Sequence, residues 1–143
     1  MRMDRRWTAG LLIVAGLLLS ACASVEEEGE PVEHAAVVEP IEGTDVAQLT
    51  LTSDAVERLD VLAVPVQDAG SGTVIPYAAV FYTATGDTWT YTNPEPLTYV
   101  RVPIVIDHID RDEAFLSDGP SSGTAVVTQG AAELYGTETG VEE

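Results

Sequence analysis

Between Val46 and Gly136, apolar and polar residues follow one another in short runs, each closed by glycine, proline or small polar residues. "VAQLTL", residues 46–51, reads as a strand, and "VLAVPVQ", residues 61–67, as a second that is apolar on both faces. Between them Ser53 is placed to cap a brief helix running to Leu59, with Val56 and Leu59 on one face. "TVIPYAAVFY" reads as a strand or two joined at Pro76, because proline has no N–H for a central ladder. "ATGD" turns the chain into "TWTYT", the cleanest alternation of all: Trp89 and Tyr91 face one way, Thr88, Thr90 and Thr92 the other. "NPEP" turns it again, and "LTYVRVPIVI" returns as one strand that brings Tyr99 near Tyr91 across a hairpin. "DGPSSG" precedes "TAVVTQG", and "AAELYG" closes with a helical turn ended by Gly136. Many short strands at this spacing predict an all-β fold, a small β-barrel or sandwich with one or two short helices.

The first 21 residues follow a different pattern. Arg2, Arg5 and Arg6 precede a run from Thr8 to Ala21 that carries no charge. A basic start followed by a short apolar stretch has the form of a secretory signal, and the stretch is shorter than the roughly 20 residues a transmembrane helix needs. The sequence "LSAC", ending at Cys22, resembles the lipobox of bacterial lipoproteins. That resemblance implies cleavage before Cys22, diacylglycerol on its thiol and a lipid anchor on the extracytoplasmic side of a cell or outer membrane. Cys22 is the only cysteine, so lipidation would remove disulfide and thiolate chemistry from the processed monomer.

Charge then bounds the partners. The chain carries 24 acidic residues against six arginines and no lysine, a formal net charge of −18. Loss of the first 21 residues would remove three of those arginines and one acid, leaving −20. Such a surface repels nucleic acid and anionic headgroups. Eight acids lie between Ser24 and Asp45, interrupted by Pro31, Pro40 and Gly43, so residues 22–45 read as a lipidated acidic flexible stalk. Residues 46–136 read as the β-domain, and 137–143 as a solvated acidic tail.

No spacing in the β-domain carries catalysis. His34 and His108 stand far apart in sequence, and the acids at Asp107, Asp110, Asp112 and Glu113 read as a wet turn rather than an acid/base pair. "GPSSGT" is neither a nucleophile elbow nor a phosphate loop. The expectation is a non-enzymatic protein with no cofactor and no metal site.

"VIPYAAVFYTATGDTWTYT", "YVRVPIVIDHID" and "LSDGPSSGTAVVTQGAAELYGTETGV" together resemble the membrane-proximal domain of periplasmic adaptor subunits, the membrane fusion proteins of RND and related efflux pumps. "LTLTSDAVERLDVLAVPVQ" resembles the same family's first segment. Full adaptors insert lipoyl, hairpin and barrel modules between these segments, whereas here only "DAGSG" separates Gln67 from Thr73. The resemblance implies a lipid-anchored accessory subunit that docks on the extracytoplasmic face of an RND or ABC-type permease, with Arg101, Asp118 and Ser121 as candidate docking residues. The alternative is a free surface lipoprotein whose β-domain binds a small ligand, a cation or an envelope component.

Overall fold

The computed structural model describes residues 34–140. Cys22, the signal-like segment and the first part of the expected stalk lie outside the described residues.

The strands are β1 (Ala36–Pro40), β2 (Ala47–Leu51), β3 (Leu62–Pro65), β4 (Gln67–Asp68), β5 (Thr73–Pro76), β6 (Phe81–Tyr82), β7 (Thr88–Glu95), β8 (Thr98–Pro103), β9 (Val105–Asp110), β10 (Glu113–Asp118) and β11 (Ala125–Gln129). They form two sheets and no closed barrel. The larger runs β1-β2-β8-β7-β11-β3, with β6 also paired to β7; the smaller runs β4-β5-β10-β9. Two short helices complete the fold, α1 (Ser53–Arg58) and α2 (Ala131–Thr139).

The period-two pattern explains how the layers form. On one face of the larger sheet, Leu49, Leu51, Tyr91, Tyr99 and Val127 pack under Ala55 of α1 and Leu134 of α2. On the other, Val126 joins Ile75, Ala114 and Leu116 of the smaller sheet, with Ile104 and Val66 filling the space between. Val126 and Val127 are consecutive and both fully buried, so β11 is a central strand covered on both faces. Each such side chain contributes roughly 1.5–3 kcal/mol of burial.

Several local expectations change in the fold. Thr52, not Ser53, caps α1: its extended backbone lets its hydroxyl accept from the Ala55 N–H at 3.2 Å. The return strand expected over 97–106 is two strands in different sheets. The break falls at buried Ile104, whose N–H and C=O are both held by Thr88. The stretch 61–67 is likewise divided, and Leu62 is 52% exposed at the sheet edge rather than covered on both faces.

Two boundaries require correction. Residues 36–40, placed in the flexible stalk, form β1 and pair antiparallel with β2 from Ala36↔Leu51 to Pro40↔Ala47. Local acidity concealed a strand whose ladder partner makes it possible. Nor does the helix end at Gly136: α2 runs through it to Thr139, and Gly140 adopts the left-handed cap at φ +62°. Residues 137–139, expected in a solvated tail, therefore belong to the domain.

Candidate functional site

Arg101 occupies a strand position directly opposite Tyr91, and both side chains point toward α2. The guanidinium is 6% exposed. Its Nε donates to Glu138 Oε1 at 2.7 Å, and its Nη2 donates to the Asp45 carbonyl. Glu138, with only 3% of its side chain exposed, also accepts from the Ala47 N–H at 2.9 Å and, through Oε2, from the Tyr91 hydroxyl. Trp89 lies beneath the guanidinium, 4.4 Å from ring centroid to Cζ, a cation–π contact that compensates part of the lost hydration.

The protonation states follow from these partners. Burial acts to lower the Arg101 pKa, but the hydrogen bond and charge of Glu138, then those of Asp45, outweigh it and leave the value raised. Burial first, and then the Glu138 hydrogen bond and charge, hold the Tyr91 phenol far above its usual value. The cluster is a fixed strut tying β7, β8, the β1–β2 turn and α2 together. Arg101 is thus corrected from a candidate docking residue to an internal one. An isolated arginine in a strand reads as surface when its partner stands 37 residues further along the chain. A signal for that partner was present in the sequence: Leu134 and Glu138, four apart, share one helix face.

Asp118, the last residue of β10, and Ser121, on the turn that follows, are both exposed. They line an open cleft of about 200 Å³ with Thr73 and Ser117. The start of that surface is set by Gly72, where a Cβ would stand 2.2 Å from the Leu116 carbonyl oxygen, so only glycine lets the β4–β5 turn approach β10. Next to it, a second cleft of about 150 Å³ is lined by Thr73, Asp107, His108, Phe115 and Ser117. The His108 ring stacks on Phe115 at 4.4 Å and 7°, and its Nδ1 meets Asp107 Oδ2 at 2.8 Å. Ser117 donates to the Val105 carbonyl at 3.3 Å instead of to the imidazole, so these three residues do not form a nucleophile–base pair. Among the described residues no group of three or more His, Cys, Asp or Glu side chains is placed to hold a metal ion. Sequence reading placed the acids Asp107, Asp110, Asp112 and Glu113 in a wet turn; Asp107 and Asp110 lie instead within β9, the outer strand of the smaller sheet, Glu113 begins β10, and only Asp112 is in the turn.

Comparison of the chain with protein-family models, curated proteins and solved structures returned no match.

Proposed function

We propose that this chain is a lipid-anchored, non-enzymatic docking subunit of adaptor type, held to the membrane by acylated Cys22 and binding the extracytoplasmic face of an RND or ABC-type transporter. The observation that carries the reading is how the two adaptor-like segments pack. β2 and β3 from the first segment pair with β8 and β11 from the second, and the β4–β5 hairpin closes the site where full adaptors insert their outer modules. A discontinuous domain of this kind remains whole when the insertion between its halves is replaced by a tight turn.

The clefts favour docking over the small-ligand alternative. The one beside β9, about 150 Å³, is smaller than the roughly 300–1,000 Å³ of typical ligand sites, and the one beside α2, about 380 Å³ and lined by Val38, Asp45 and Glu138, is of that size but lies open to solvent instead of enclosing a ligand. Tethering to the permease's own membrane raises the effective concentration, so a small contact surface suffices. Crosslinking in intact cells, followed by identification of captured proteins, tests the reading. Repeated recovery of a permease supports it; a correctly localised lipoprotein that captures no transporter overturns it.

A further inference from the structure

We propose that β9 is a strand-addition site for an extended protein segment in which apolar residues alternate with arginine or lysine. The inference deepens the docking reading, on which it rests only for the partner being a transporter.

β9 is the outer strand of the smaller sheet, and one side of its backbone has no ladder partner among the described residues. Unpaired N–H and C=O groups in a row are a template for another strand. The other edges suit this less well: β1 and β3 each end in proline, and β4 has two residues. β9 has six residues, none of them proline, and shows two uncovered apolar side chains, Val105 at 53% and Ile109 at 46%.

Charge selects the occupant. Asp107 and Asp110 extend from β9, and Asp112 and Glu113 follow at the hairpin tip. Among the described residues the basic groups beside them are Arg111, 88% exposed and 3.9 Å from Asp110, and the His108 imidazole, 2.8 Å from Asp107, so the acids are in excess. A second copy adding antiparallel to β9 would bring together two strands that each carry more acids than bases, and the acidic stretch 26–33 of this chain is disfavoured for the same reason. A cationic strand reverses the sign of each of those contacts.

The bulge gives such a strand a point of registry. Ile106 pairs with Leu116 and His108 with Phe115, leaving Asp107 as the extra residue, and Asp107 lines the 150 Å³ cleft beside the His108–Phe115 stack. An arginine or lysine stem can lie along the stacked rings with its charged head at the carboxylate.

The test uses the full chain and a synthetic peptide of alternating valine and arginine. Its controls are the same peptide with every backbone amide methylated and a valine–glutamate version. The expected result is slowed amide exchange across residues 105–110 with the valine–arginine peptide, binding about tenfold weaker after methylation, and none with the acidic peptide. Asp107→Asn with Asp110→Asn should also weaken binding about tenfold, and the loss should shrink at high salt. Equal binding of the methylated peptide, protection at β1 or β3 instead, or no protection would overturn the proposal. If crosslinkers placed away from β9 still capture a permease, the docking reading survives that failure.

Discussion

Arg101 and Glu138 meet at 2.7 Å across 37 residues of chain, each side chain almost wholly buried. This pair joins the middle of the larger sheet to the last turn of α2, and through Asp45 and Ala47 it also fixes the β1–β2 turn.

Removing one partner leaves an uncompensated buried charge. Arg101→Met or Glu138→Leu alone should cost roughly 3–5 kcal/mol, whereas the two combined should cost clearly less than the sum. Urea unfolding of the four proteins measures the coupling, and strict additivity would contradict a shared ion pair. Arg101→Glu should prevent folding, because three carboxylates would then converge with no base between them.

Alkaline stability should depend on Tyr91. An unfolded tyrosine ionises near 10.0, while the folded Tyr91 holds its proton to higher pH. Above about pH 10 the unfolded chain therefore binds fewer protons than the native one, and stability falls as pH rises. Below that pH the contribution is fully present. Tyr91→Phe should flatten the alkaline fall and cost about 1–2 kcal/mol at neutral pH, since Glu138 Oε2 loses its donor. Tyr99, also raised by burial, keeps its share of the slope in that variant. Thermal melts from pH 8 to 11 provide the measurement.

Domain boundaries can be tested by truncation. A fragment of residues 34–140 should unfold in one cooperative transition, while 46–136 should be several kcal/mol less stable or fail to fold. The shorter piece lacks β1 and Glu138, so it leaves the β2 edge bare and Arg101 without its carboxylate. Equal midpoints in urea would show that β1 and the last turn of α2 are dispensable.

The anchor can be tested at a single atom. Cys22→Ser removes the thiol that would carry the lipid, so labelling with a radioactive or alkyne-bearing fatty acid should vanish and the protein should leave the membrane fraction. Persistent labelling of the variant would overturn the lipobox reading.

Alternation over neighbouring residues is a local property, and where it was strong the chain alone determined the element. Trp89 and Tyr91 share a face as their spacing predicts, Tyr91 in the core under the helices and Trp89 against Arg101, and the turns at 84–87 and 119–123 fall where glycine and proline put them. The all-β class follows from the number and brevity of those runs, but they left barrel and sandwich both open, and only the fold shows two sheets. Tertiary structure decided the remainder. Residues 36–40 are a strand because β2 supplies their hydrogen-bond partners, which no local acidity or hydropathy records. Ile104 moves the chain from one sheet to the other because a buried gap between the sheets accepts its side chain and Thr88 holds its backbone. Arg101 is interior, and β9 rather than Arg101 is the open edge, because a charge's environment is set by whatever the fold brings beside it, and here that was the carboxylate of Glu138 from the far end of the domain.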